Sequence, residues 1–218
     1  MHVLRIIQAH MPKIVVLENV SGLATTQREF FDALLGMIRE FRWQGRRYVV
    51  EWRVMDTRYF KVAQSRPRLW IVCVRRDVLG HALEWPTPNI ESATNIDEII
   101  GPRPPRCTTA MALPPETSTN AVSNVKKALL RLQHTGVDPF SETWILEIDQ
   151  SASRNGTAMR GCSPCLTKTR CRQGGHWITT NGRRLSTAEM LSLQKMCPDR
   201  LRIPDGVSVV DFHGVLGF

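Results

Sequence analysis

The 218 residues include 42% hydrophobic and 22% charged residues and six Trp, apolar content that excludes a disordered chain and is ample for a buried core. Lys and Arg number 29 against 20 Asp and Glu, a formal net charge of +9, which favours a polyanionic partner such as nucleic acid. No apolar run approaches the roughly 20 residues needed to cross a bilayer, Arg5, Gln8 and His10 interrupt any secretory signal core, and six irregularly spaced Cys fit a reducing, intracellular setting better than a disulfide framework.

From Pro12 to Asp77 the pattern alternates strands and helices, as in a layered α/β unit. Residues 13–19 form a short apolar run ending in Glu18 and Asn19, which predicts a strand buried on both faces with its functional end at the carboxyl side. Ser21 and Gly22 turn the chain, and Phe30, Phe31, Leu34, Leu35, Ile38 and Phe41 predict an amphipathic helix over 26–41. Residues 46–55 and 68–77 are rich in Val, Ile, Tyr and Trp and predict two strands joined by a polar bend. Seven prolines from Pro86 to Pro115 then mark an irregular crossing and the first boundary. A helix is expected over 121–134, a strand over 142–149, and loops presenting polar groups over 151–182. Ser186-Thr-Ala-Glu189 has the form of a capping box and predicts a helix of about ten residues ending before Pro198.

Three segments carry chemical information. In Pro12 to Gly22, Glu18 stands at the carboxyl end of a strand, where α/β proteins keep their ligand crevice and where desolvation would favour a protonated carboxyl. In Gln64-Ser-Arg-Pro-Arg68, Arg66 and Arg68 are two apart on extended backbone, a fork suited to phosphate or to the carbonyl oxygens of a base. In Arg183 to Pro198, a basic turn precedes a capped helix with a proline stop. The spacing of Cys162, Cys165, Cys171 and His176 could hold zinc, although plain or DNA-facing thiols are the favoured reading and no metal is assigned. His176-Trp177 beside Gly174 and Gly175 suggests a mobile loop tip, with a base-stacking wedge as the alternative.

In this order, the three segments resemble the DNA cytosine-5 methyltransferase family over most of the chain. The Pro-x5-Glu-Asn-Val element matches Pro12 to Val20, Gln-x-Arg-x-Arg matches Gln64 to Arg68, and Arg-x-Leu-(Ser/Thr)-x-x-Glu-x-x-x-Leu-Gln matches Arg183 to Gln194. The resemblance implies the second half of a doubly wound S-adenosylmethionine-dependent methyltransferase sheet over 1–85. It further implies a linker and a small, irregular target recognition region over 86–182 and a segment returning to the catalytic domain over 183–218. The implied reaction attacks a flipped cytosine at C6 with a cysteine thiolate and moves a methyl group from S-adenosylmethionine to C5. Glu18 would protonate or hydrogen-bond N3, Arg68 and secondarily Arg66 would hold the base carbonyl and backbone, and Asn19 and Gln64 would scaffold the crevice. Arg160, Cys165, Leu166, Thr167, Arg183 and Arg184 are the residues implied to meet double-stranded DNA. The implied location is the nucleus in a eukaryote, or the cytoplasm or nucleoid in a bacterium or virus.

Several family elements are missing. No Cys precedes Glu18, so the Pro-Cys-Gln nucleophile has no counterpart; no Gly occurs before Gly22, so no cofactor-binding residue is identified; and the family's Gly-Asn element has no match in Gly214-Val-Leu-Gly-Phe218. Lys61 stands where the family has Gly in the bend before Gln64, which should strain that turn. The expectation is a methyltransferase fragment, inactive alone and requiring an amino-terminal half or partner chain. Two alternatives stand beside it: a catalytically inactive methyltransferase-like DNA-binding module, and an unrelated basic α/β nucleic-acid-binding protein. With early strands missing, a sheet edge should be open and prone to association.

Overall fold

The computed structural model describes residues 2–89, 94–102, 113–151 and 156–217. It divides into two compact units, Met1–Asp56 with Pro67–Pro88, and Thr57–Arg66 with Asn89–Phe218. The second segment of the first unit ends at Pro88. The bend 57–66, however, packs with the second unit, so that Gln64 and Arg66 part company from Arg68.

The first unit contains α1 (His2–His10), β1 (Ile14–Val20), α2 (Gly22–Thr25), α3 (Arg28–Glu40), β2 (Tyr48–Asp56) and β3 (Pro67–Arg75). Helix α1 has no counterpart in the sequence expectations. The helix expected over 26–41 is α3, and Gln27, at φ −114° and ψ 40°, separates it from the one-turn α2 that precedes it. The strands lie in the order β1-β3-β2, both pairings antiparallel, which makes β3 the centre of the sheet. Alternation along β3 sends Leu69, Ile71 and Cys73 to one face, where they pack with Phe31, Leu35 and Ile38 of α3, Ile7 of α1 and Val15 of β1. Phe31 meets Trp52 edge to face at 5.1 Å between centroids.

Strand β1 is not buried on both faces. Ile14, Val16 and Val20 remain 56–58% exposed, because both helices lie on the face of Val15 and β1 pairs on one side only. At its start the buried Arg75 fastens the sheet: it donates to Asp77 through Nε and Nη2, both at 2.9 Å, and to the Met11 carbonyl at 2.7 Å.

The second unit contains α4 (Thr119–His134), β4 (Trp144–Leu146), β5 (Ala158–Arg160), α5 (Lys168–Arg172), β6 (Trp177–Ile178), β7 (Arg183–Arg184), α6 (Thr187–Leu193) and α7 (Val209–Leu216). The expectation of loops over 151–182 is corrected: β5, α5 and β6 lie there, and the sheet order is β5-β4-β6-β7. Strands of two or three residues leave no periodicity to detect. His176 and Trp177 are likewise no loop tip, since both are buried beside β4. Burial lowers the His176 pKa to about 4, which keeps the ring neutral at pH 7. Residues 183–218 belong to the second unit, where Leu185, Met190, Leu191, Leu193 and Leu216 pack on Ile145, Leu166 and Ile178. The middle of the proline-rich crossing, 103–112, lies outside the described residues.

Helix α6 carries the expected capping box: the Glu189 amide donates to Ser186 Oγ at 3.2 Å and the Ser186 amide to the Glu189 carboxylate at 2.7 Å. It stops after seven residues because Lys195 adopts φ 57°, while Lys195 and Met196 donate back to Ser192 and Leu191. This is the left-handed helix end that glycine normally occupies. Lys61 is left-handed too, at φ 59°, as its place in the bend led us to expect. Replacing Lys61 or Lys195 by Gly should relieve more strain than it adds in unfolded-state entropy, stabilising the chain by about 0.5–1 kcal/mol and raising Tm by about 2 °C. A lower Tm in a thermal melt of either variant would count against the strain.

Burial works against the charge of Glu189. Hydrogen bonds from Arg183 at 2.7 and 2.8 Å and from the Ser186 and Gly101 amides outweigh it and hold the carboxyl at about 2, below its ordinary 4.5. The folded pKa is depressed, so this contribution is complete above about pH 4.5 and is lost as pH falls through about 2. Glu189→Gln should cost about 3 kcal/mol at pH 7, a deficit that narrows in urea melts between pH 4.5 and 2.5; a constant deficit would contradict the linkage. At the open strand, Val16→Lys should lower self-association in sedimentation without lowering Tm. Unchanged association would place the sticky surface elsewhere.

Candidate active site

The register of β1 on β3 sets Val20 opposite Arg68 and Glu18 opposite Trp70. Glu18 and Arg68 are therefore diagonal neighbours on one face of the sheet, within reach of long side chains. Arg68 Nε donates to Glu18 Oε1 at 2.8 Å, with the side chains 17% and 43% exposed respectively. Glu18 stays partly in water, because β1 is an edge strand. Asn19 Oδ1 accepts from the Val20 amide at 2.8 Å and helps close the strand. Beside this end lies a cavity of about 230 Å³ lined by Glu18 and Asn19 together with Leu17, Leu23, Phe30 and Leu34. The apolar wall was visible in the sequence only as helix periodicity, and Phe30, assigned there to the packed face, is 60% exposed.

The arrangement offers a carboxyl group and a planar cation side by side on the open face of the sheet, and of the two Glu18 also reaches the apolar hollow. A heterocycle with a ring nitrogen next to a carbonyl could engage both, the nitrogen at Glu18 and the carbonyl oxygen at Arg68.

Arg66 and Arg68, expected to form a fork, fall in different units. Arg66 lies in the second unit, where Nη1 donates to the Leu166 carbonyl at 3.3 Å and approaches Cys165 Sγ at 3.6 Å. The Pro67 step between them ends one unit and begins the other, which same-side spacing on extended backbone does not reveal. Gln64 is 1% exposed and its backbone bridges Ser163, while its Nε2 is buried with no partner among the described residues.

The residues implied to meet DNA serve largely internal roles. Leu166 has no exposed surface and belongs to the core, which removes it as a contact. Thr167 caps α5 by accepting from the Arg170 amide at 3.4 Å. Arg183 grips Glu189, and Arg184 binds both carboxylate oxygens of Asp149 at 2.7 Å. Cys165 is half-buried, whereas Arg160 is exposed, bonded to Glu142 at 2.9 Å.

Among the described residues no group of three or more His, Cys, Asp and Glu could hold a metal ion, so the Cys162 to His176 spacing does not converge. Nor do the residues of the first unit fit S-adenosylmethionine. Gly22, Gly36, Gly45 and Gly80 stand singly and form no Gly-x-Gly element of the kind with which a loop after a strand cradles a cofactor. No buried side-chain polar atom among that unit's described residues lacks a partner. Cys73, the only cysteine of the unit, is fully buried, and burial pushes its thiol up to about 11, which makes it inert as a nucleophile. Among the described residues no helix is long and apolar enough to cross a membrane.

The whole chain has counterparts among solved structures. It is similar to a triple mutant of DNMT2 from Spodoptera frugiperda, at 14% identity and a TM-score of 0.55, over 99% of this chain and 65% of that one. It is similar to the methyltransferase EhMeth of Entamoeba histolytica at 14% identity and a TM-score of 0.55, over 99% of this chain and 62% of that one. The chain thus spans under two thirds of the length of either neighbour, with an α/β fold that is a fragment of the methyltransferase fold. No curated protein matches it. The family model for C-5 cytosine-specific DNA methylases matches residues 1–204, and the chain belongs to that family.

Proposed function

We propose that the chain supplies the base-holding part of a DNA cytosine-5 methyltransferase, which transfers a methyl group from S-adenosylmethionine to C5 of a flipped cytosine. The observation that carries this is the Glu18–Arg68 pair at 2.8 Å, set at a strand end in a basic chain of this family. Cytosine presents N3 next to a carbonyl, the pattern that a protonated carboxyl and a guanidinium complement. Glu18 would share a proton with N3 as electron density enters the ring, and Arg68 would orient Glu18 and hold the carbonyl oxygen. The cysteine nucleophile and the cofactor cradle would come from an amino-terminal half or a partner chain, so no step through the cofactor is derived from these residues. A second reading is a DNA-binding module without chemistry of its own, favoured by the inert Cys73 and the lack of a glycine cradle.

The test is methyl transfer from labelled S-adenosylmethionine to duplex DNA and to RNA of the same sequence, with the chain alone and with a complementing amino-terminal half. Activity on DNA only after complementation supports the proposal; activity on RNA alone would overturn the substrate, and DNA binding without transfer in either arrangement would favour the module. In the complemented enzyme Glu18→Gln should lower kcat by about 10²–10⁴-fold and change DNA affinity by less than about threefold. Equal losses in both would make Glu18 structural.

A further inference from the structure

The second unit holds a cavity that the proposed chemistry leaves unused. It measures about 360 Å³, near the lower end of the roughly 300–1,000 Å³ of small-ligand sites. One wall is Arg58 and Tyr59, from a 3-10 turn spanning Thr57–Tyr59. The Arg58 guanidinium lies over the Tyr59 ring, 4.6 Å from its centroid, and donates to the phenol oxygen at 2.5 Å, so this wall is both cationic and aromatic.

The facing wall is polar and closely fitted. Gly161 has φ +62°, and a Cβ there would come within 3.3 Å of Asn95 Oδ1, so glycine is what allows the Asn95 amide to line the cavity. Thr94 Oγ1 donates to the Lys61 carbonyl at 3.0 Å, which leaves its oxygen able to accept. Arg160 also lines the cavity; its side chain is 66% exposed and its pairing with Glu142 is in water, where such a bond exchanges at little cost. Asn95 Oδ1 already accepts from the Asp97 amide at 3.3 Å and its Nδ2 reaches the Asp97 carboxylate at 3.4 Å, which leaves one lone pair and one N–H for a base edge beside the Thr94 hydroxyl. With a cation and an aromatic ring for stacking and an exposed guanidinium for a phosphate, these groups together describe one nucleotide.

We propose that this cavity is a second nucleobase pocket, in a unit that does not contain Glu18, and that it takes one unstacked base of the nucleic-acid substrate against Arg58 and Tyr59 with Arg160 on the adjoining phosphate. The proposal rests on the nucleic-acid function given above. A free nucleotide has the same chemistry, and the two sources are separated by experiment.

The full chain is photocrosslinked to single-stranded oligonucleotides carrying 5-iodouracil at successive positions, and the crosslinked peptides are mapped by mass spectrometry. The expected product joins one position to the peptide containing Tyr59. In parallel, fluorescence anisotropy should show Tyr59→Ala and Gly161→Ala weakening oligonucleotide binding by about tenfold and Tyr59→Phe staying near the parent. Crosslinks confined to other peptides, or an unchanged affinity in Tyr59→Ala, would overturn the pocket while leaving nucleic-acid binding in place. Absence of oligonucleotide binding by the unaltered chain would overturn the nucleic-acid function and the pocket with it. Cytidine or adenosine monophosphate binding as tightly as the oligonucleotide would overturn the assignment to a polymer. Should Tyr59→Ala fail to fold, the crosslink on the unaltered chain decides.

Discussion

Everything at the Glu18 end of the sheet depends on the antiparallel register between β1 and β3. With Val20 opposite Arg68, Glu18 becomes the diagonal neighbour of Arg68; a slip of one residue would carry the two side chains to opposite faces. Two features hold the register. Burial of Leu69, Ile71 and Cys73 against α3 commits the odd positions of β3 to the core and thereby the even ones, including Arg68, to the other face. At the far end Arg75 binds Met11, Lys13 and Asp77, so that β1 begins at a fixed point along β3. A core contact and a buried ion pair, neither touching Glu18, place its partner.

The sequence was most informative where one element carries its own signal. Apolar spacing locates α3, Ser186 and Glu189 locate the start of α6, and Val-rich runs locate β2 and β3 to within two residues at each end. It was least informative where the structure depends on something distant. Val16 and Val20 look like core residues, but exposure of an edge strand depends on what lies beside it. Arg66 and Arg68 share a side on paper, yet the boundary between units runs through the intervening step. At the candidate site the sequence supplied Glu18 and Arg68 through their motifs. It did not supply the walls of either cavity, because Phe30, Tyr59 and Asn95 belong to no common pattern.

The basic residues of the second unit show why charge is a poor guide to contacts. Arg170 pairs with Glu147, Arg183 with Glu189 and Arg184 with Asp149, each at 2.6–2.7 Å, and each carboxylate partner is less than 20% exposed. Strands of two and three residues bring few ladder bonds, and these pairs cross between segments that the ladders do not join. Removing either partner would leave a charge in a poorly solvated place. Such arginines are held by the fold and are not readily surrendered to phosphates, whereas Arg160, paired in water, is.

The Glu18–Arg68 pair is of the opposite kind. With Glu18 43% exposed, water screens the attraction and the pair contributes little to folding, about 0–1 kcal/mol. Its placement is therefore cheap to keep, and its strength depends on what covers it. A flat heterocycle seated over the pair would displace water from both groups and lower the local dielectric, so that the same 2.8 Å contact would strengthen when the base is bound. A pair buried in advance would carry that interaction in the empty state as well and could offer no gain on binding. On the function proposed above, an open strand edge is the physically suitable position for a group that acts on a base drawn out of its stack.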